Sequence, residues 1–174
     1  PALDLPVPAY TAGLWLGDGA SRFALIHQHQ DDIETAEYVR SEGVEVIVRP
    51  GTNPTMKTVC LKQFPNGLRG VPALRQAGLL VEQPDPGTKK RIPPLYLRAS
   101  VEQRFDLLSG LMDSDGSIDK EHGWARFDTT SRGLAEDVAE LVRSLGMKAA
   151  FTAAPLRAGK AKVEYMVRFK PLPG

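Results

Sequence analysis

Apolar residues recur at helical spacing over Tyr10–Gly19 (YTAGLWLGDG) and again over Leu107–Gly116 (LLSGLMDSDG), and each run stops at Asp-Gly. That stop predicts a helix C-terminus at which glycine takes a left-handed turn. A strand-like run follows each helix: Arg22–Gln28, and Ala125–Thr130 beyond a short Ser117–Gly123 turn. Next come two amphipathic helices. Asp31–Glu42 opens on an Asp-Asp cap, while Ser131–Leu145 opens on Ser131 and carries Leu134, Val138, Leu141 and Leu145 on one stripe. Both predicted helices end at glycine, Gly43 and Gly146, and both lead into two further strand-like runs. These are Val44–Arg49 with Thr58–Gln63, and Lys148–Ala153 with Lys162–Phe169. An α-β-β-α-β-β plan is thus read twice, which predicts an α+β protein of two pseudo-symmetric αββαββ units. The first hairpin is the shorter, with Asp31 thirteen positions after Asp18 and Ser131 sixteen after Asp115.

The halves expected from this repeat are residues 9–63 and 101–174, joined by a connector over 64–100. The connector holds a helical piece around Val71–Leu80, then Pro84-Asp85-Pro86-Gly87 and a basic stretch, Lys89-Lys90-Arg91-Ile92-Pro93. With 174 residues and 42% hydrophobic content the chain can bury one core shared by two small halves. No run approaches the eighteen apolar residues of a membrane span, and the Pro-rich start lacks the basic region of a signal peptide. The single Cys60 cannot form an internal disulfide; it is expected to pack as a small core residue in a reducing, intracellular setting, the cytoplasm of a prokaryotic or phage-infected cell.

Net charge is only +1, but it is segregated. Residues 51–100 hold eight Lys/Arg against two Asp/Glu, and residues 147–174 hold six against one. The intervening 101–146 and the earlier 31–50 are acidic. Basic blocks at matching places in two halves suit a phosphate-binding surface, although solvated faces also alternate in sign.

Small residues sit four apart on each motif helix: Gly13 and Gly17 on the first, Gly110 and Ser114 on the second. That stripe lets two helices pack with their backbones nearly touching. Packed in parallel, they bring Asp18 and Asp115 together at their C-terminal ends. Two carboxylates beside free backbone carbonyls are hard ligands suited to Mg²⁺. Either motif alone reads as an apolar helix with a Gly stop; two copies with Asp at the same position are harder to explain that way.

These residues resemble the LAGLIDADG homing endonucleases. Leu108–Gly116 (LSGLMDSDG) matches the family motif at six of nine positions, and Thr11–Gly19 (TAGLWLGDG) departs from it at four. The GLWLGDG form resembles the first motif of intein-encoded members. Lys90-Arg91-Ile92-Pro93 resembles the KxIP block of intein endonucleases, and Leu141–Gly146 (LVRSLG) the helix-plus-Gly block that follows the second motif. The resemblance runs from about Tyr10 to Phe169. It implies a saddle of antiparallel sheets with the motif helices at the interface, acting on double-stranded DNA as a pseudo-symmetric monomer. It implies Asp18 and Asp115 as Mg²⁺ ligands (Mn²⁺ substituting), helped by the carbonyls of Gly17 and Ser114, with hydrolysis of one phosphodiester per strand and short 3′ overhangs. Lys90 would stabilise developing charge near the scissile phosphate.

Groove-facing strand positions would supply DNA contacts. The candidates are Arg22, His27, His29, Arg49, Lys57 and Lys62 in the first half, and Arg126, Lys148, Arg157, Lys160, Lys162, Arg168 and Lys170 in the second. Alternation requires that some point away. The sequence shows no Cys or Ser splicing nucleophile at its start and no His-Asn at its end. The expectation is therefore an endonuclease domain once fused to a protein-splicing domain. The competing readings are a DNA-binding domain of this fold without cleavage, and an RNA maturase.

Overall fold

The computed structural model describes residues 1–80, 90–155 and 163–172. Helix α1 (Ala9–Asp18) begins after Pro8, and residues 9–16 of it are all buried. The chain then forms strand β1 (Leu25–His29), helix α2 (Thr35–Ser41) and strands β2 (Glu45–Pro50) and β3 (Met56–Gln63). Helices α3 (Gly70–Gln76) and α4 (Pro94–Leu97) lead to the long helix α5 (Val101–Asp115). Strands β4 (Gly116–Asp119) and β5 (Trp124–Thr129), helix α6 (Arg132–Ser144) and strands β6 (Ala149–Pro155) and β7 (Val163–Phe169) complete the order.

Two antiparallel sheets result, β1-β3-β2 and β4-β5-β7-β6. The α+β architecture expected from the repeated pattern is the one observed, with one difference in the first unit. There the strand equivalent to β4 shrinks to an isolated bridge between Gly19 and Ile26. The shorter link leaves Ala20–Ala24 only enough chain for a tight turn, closed by Ala20 N–H to Leu25 O at 2.9 Å. In the second unit the segment read as a turn from Ser117 begins as strand β4, paired with β5 from Gly116↔Phe127 to Asp119↔Trp124.

Helix boundaries follow capping chemistry. Ser100 caps α5 in a reciprocal box with Gln103, and Ser131 accepts from Leu134 N–H at the start of α6. The Asp31-Asp32 pair does not open α2. It lies instead in a 3₁₀ turn, Gln30–Asp32, whose cap is the His29 side chain, and the α-helix starts three residues later. Gly43 and Gly146, at the ends of α2 and α6, carry φ of +80° and +83° as left-handed stops.

Gly19 and Gly116 are different. Both leave their helices in extended conformation, φ −74° and −93°, so the left-handed turn expected at each Asp-Gly is absent. Space is what demands glycine. A Cβ on Gly19 would lie 2.3 Å from Trp15 O, and one on Gly116 would lie 2.4 Å from Met112 O.

The core runs unbroken through both halves, from Trp15 and Ile26 to Leu107, Phe127 and Leu141. It lies on one face of each sheet, under the helices; the opposite faces are open. Cys60 is free and buried, as expected; it packs on the side of β3 away from the helices, opposite Leu25 and Ile47.

Candidate active site

The site forms where α1 and α5 end. The two helices run parallel in a contact so close that no Cβ fits between them. A methyl on Gly13 would stand 2.2 Å from Leu107 O, and one on Gly110 would stand 2.1 Å from Tyr10 O. Toward the C-terminal ends, a Cβ on Gly17 would meet Ser114 Oγ at 2.0 Å and Asp115 Oδ2 at 3.2 Å. All four small residues singled out in the sequence lie at this contact. Because the backbones touch, the residues one step beyond, Asp18 and Asp115, are brought together.

Their electrostatics reflect that proximity. Desolvation, and then the charge of Asp115, push the Asp18 carboxyl up to about 6, opposed by Lys90 and reinforced by Asp32. Asp115 is also raised, by desolvation first and by Asp128, while Lys90 lowers it. Both carboxyls of the pair are held above their ordinary range. Each motif aspartate thus has a second carboxylate nearby from the segment after its helix, Asp32 in the 3₁₀ turn and Asp128 on β5. Neither was legible from motif spacing.

Lys90 reaches the same place from the connector. Its Nζ donates to Trp15 O (2.8 Å), Gly19 O (2.5 Å) and Gly17 O (3.3 Å). It also sits 4.5 Å from the centroid of the Trp15 ring. The ammonium caps the negative end of α1 and shares Trp15 O with the Gly19 N–H. Desolvation lowers its pKa to about 8, against the pull of Asp115 and Asp18.

The residues after Lys90 are fixed by α6. Arg91 donates Nε and Nη2 to Asp137 at 2.7 Å each, and Ile92 N–H donates to the same carboxylate at 2.9 Å. Asp137 is 5% exposed, so this is a built anchor. Sequence reading missed it because the partners lie 46 residues apart. Glu42 is a second hidden anchor: its carboxylate accepts Tyr10 N–H, Thr11 N–H and Thr11 Oγ1 at the start of α1.

Beside the carboxylates a cleft of about 530 Å³ opens, lined by Gly17, Lys90, Asp115, Asp128, Ser131 and Glu164 among others. Among the described residues no group of three or more His, Cys, Asp or Glu side chains forms a metal cage. The donor set is therefore two carboxylates supplemented by backbone oxygens. It fits a hard cation that retains water, because the desolvation and mutual repulsion raising both aspartates are what a cation relieves.

The basic candidates divide by strand face. On β1-β3-β2, His27, Arg49 and Lys62 occupy open-face positions; His29 shares that face, and Arg22 is exposed in the turn before β1. Lys57 is the exception. It pairs with buried Gln28 on the helix-side face, so it does not project from the open face with the others. On the second sheet Arg126 and Arg168 are cross-strand neighbours on the open face. Arg126 is tied to Asp128 at 2.6 Å and Arg168 lies over Trp124 at 5.4 Å. Lys148 and Lys170 are exposed just outside β6 and β7. Arg157, Lys160 and Lys162 fall outside the described residues.

Two antiparallel sheets joined through a touching pair of parallel helices match the fold of the homing endonuclease I-DmoI. Residues 102–169 match the LAGLIDADG-like domain family. The structure resembles that of I-DmoI in complex with DNA and Ca (TM-score 0.60, 15% identity, 95% of this chain and 83% of that one). It also resembles the N-terminal LAGLIDADG domain of DUF199/WhiA (TM-score 0.51, 11% identity, 94% and 78% covered). In sequence, the replicative DNA helicase DnaB of Mycobacterium intracellulare is 36% identical over 152 residues, 84% of this chain. The chain spans only 21% of that helicase's length. Among the described residues no helix is long and apolar enough to cross a membrane.

Proposed function

We propose that this chain is a site-specific, metal-dependent double-strand DNA endonuclease of the homing type, carried as an intein segment within a longer protein. The observation that carries the reading is the convergence of Asp18, Asp115 and Lys90 at the ends of two backbone-packed helices. Likeness to about a fifth of a DnaB helicase supports the host context, and the solved I-DmoI complexes with DNA and Ca, Mn or Mg support the substrate and cation class. The chain would act as one pseudo-symmetric monomer, with halves 9–63 and 101–174 gripping the duplex on either side and residues 64–100 delivering Lys90.

In this reading Asp18 and Asp115, with the carbonyls of Gly17 and Ser114, hold Mg²⁺, or Mn²⁺ in its place. Such a cation supplies Lewis-acid activation of water and of the scissile phosphodiester. Lys90, held at the site by the Arg91–Asp137 anchor, stabilises negative charge developing on the phosphate. The open sheet faces carry the base contacts through Arg22, His27, His29, Arg49, Lys62, Arg126, Lys148, Arg168 and Lys170.

The test is cleavage of a plasmid bearing the unoccupied insertion site, in Mg²⁺, by the wild type and by Asp18→Asn and Asp115→Asn. Linear product from wild type alone supports the reading. Binding of the site without cutting in either Mg²⁺ or Mn²⁺ leaves a DNA-binding domain, and binding of structured intron RNA in preference to the duplex makes the chain a maturase-like protein.

A further inference from the structure

The open face of the first sheet has a layered chemistry. Leu25, Cys60 and Ile47 lie directly opposite one another across the three strands, forming one apolar rung. Two positions along, His27, Thr58 and Arg49 form the next rung on the same face, and it is polar. His27 Nδ1 and Thr58 Oγ1 are 3.2 Å apart there. Ile47 stays 41% exposed and nearby Phe23 58%, while Cys60 between Leu25 and Ile47 is only 7% exposed; Val71 and Pro72 of α3 line the same groove. The rung floors a groove of about 580 Å³ edged by Arg49, Lys62 and Arg69 against the single acid Glu45.

The second sheet has no such rung. Its matching face presents Arg126 paired with Asp128, Arg168 over Trp124, and Glu164.

An apolar floor with a basic rim needs an occupant that is anionic at its margins and carries methyl groups at its centre. The major groove of an A·T-containing duplex has both, because each thymine displays a C5-methyl between two phosphate rails. Dimensions agree. The major groove is about 12 Å wide and admits a two-stranded β-ribbon, so two neighbouring strands, about 4.8 Å apart, enter along the groove with the third at its edge. Rungs two residues apart are then separated by about 6.8 Å along the strand, close to two base-pair steps of about 3.4 Å.

We propose that the Leu25–Cys60–Ile47 rung reads thymine methyl groups in the half-site under the first sheet, two base pairs from the position met by the His27–Thr58–Arg49 rung. The inference rests on the DNA-binding reading above and assigns it a base preference. It makes the two half-sites chemically unlike: the one under the first sheet adds a van der Waals reading of methyl groups to its polar contacts, and the other is read by charged and hydrogen-bonding groups.

The experiment selects duplexes from a randomised library with the Asp18→Asn, Asp115→Asn chain, which binds without cutting. Each thymine of the selected duplex is then replaced singly by uracil, which removes only the methyl group. Binding should weaken about fourfold at one or two positions, the fold-change expected for exposing one buried methyl-sized group. Adding Ile47→Thr should abolish that penalty there while leaving the rest of the profile unchanged. Ile47→Val, which trims a single methyl, serves if the threonine variant melts early. A uracil profile that is flat, or that Ile47 substitution does not alter, overturns the thymine assignment while duplex binding stands. Failure to enrich any duplex overturns the DNA-binding reading itself.

Discussion

Asp18 holds an ionised carboxylate where the fold disfavours one. Its pKa rises from 3.8 to about 6, so the folded chain binds that proton more tightly than the unfolded chain. The penalty is absent below about pH 4, grows through the window up to 6 and is fully present at neutral pH. A shift of this size corresponds to roughly 3 kcal/mol, which solvent screening at a part-exposed group reduces to about 1–2 kcal/mol. Asp18→Asn should therefore raise the melting temperature at pH 7.5 without metal, and the gain should vanish at pH 4. Adding Mg²⁺ should stabilise the wild type more than the variant. Equal melting of the two proteins across that range would remove Asp18 from the strained pair. At the same scale, Asp137→Asn should slow cleavage at least tenfold while leaving binding of the duplex within about threefold, since it loosens Lys90 and touches no strand face. A parallel loss of binding would make Asp137 a general support of the fold.

At the scale of the element, the two glycine roles separate cleanly. Gly110 faces the Tyr10 carbonyl with no room for a methyl, whereas nothing lies within 4 Å of a Cβ on Gly146, whose φ is +83°. Gly110→Ala should cost about 3 kcal/mol or more by forcing the helices apart, and Gly146→Ala only about 1 kcal/mol of backbone strain. Urea unfolding of both variants checks the order; a milder effect at Gly110 would mean that the helix pair has slack. The small-residue stripe made this contact legible in the sequence, because periodicity and side-chain size are local facts. What the local pattern misassigned was decided by tertiary structure. Asp31-Asp32 resembles a helix cap, but His29 Nδ1 takes the Asp31 N–H and diverts the chain into a 3₁₀ turn. Strand β4 is four residues with three of them exposed, too short and polar to show alternation. The Asp-Gly stops were read as conformational when they are steric, since Trp15 and Met112 alone fill the space a Cβ would need.

At the scale of the whole molecule, the strand cations among the described residues lie mostly on the open sheet faces, with Lys57 the position that alternation turns inward, while Arg69, Arg75, Lys90, Arg91 and Arg98 of the same basic block lie off the sheets. Strand parity could have shown this, had the register been known. If about six cations meet phosphates, log K for the duplex should fall with log salt at a slope on the order of −5. Arg49→Gln and Lys62→Gln should each reduce that slope by about one. A slope near zero in a titration from low to physiological salt would show that these faces do not meet a phosphate backbone. Lys90 marks the limit of sequence reading at this scale. Its motif was visible, but not the three carbonyls it caps or the α6 carboxylate that holds its neighbours.

The interhelical contact is made by backbone atoms, and it fixes how far apart the two aspartates can be. Side chains on the sheets can be exchanged without touching that spacing, because no open-face residue lies between α1 and α5. If the chain cuts both strands as proposed, the helix pair would act as a ruler for the stagger of the break. Changing the sequence that is recognised and changing the length of the overhang become separate engineering problems. The first is solved by side-chain choice on β1–β7. The second has no solution short of rebuilding the helix interface.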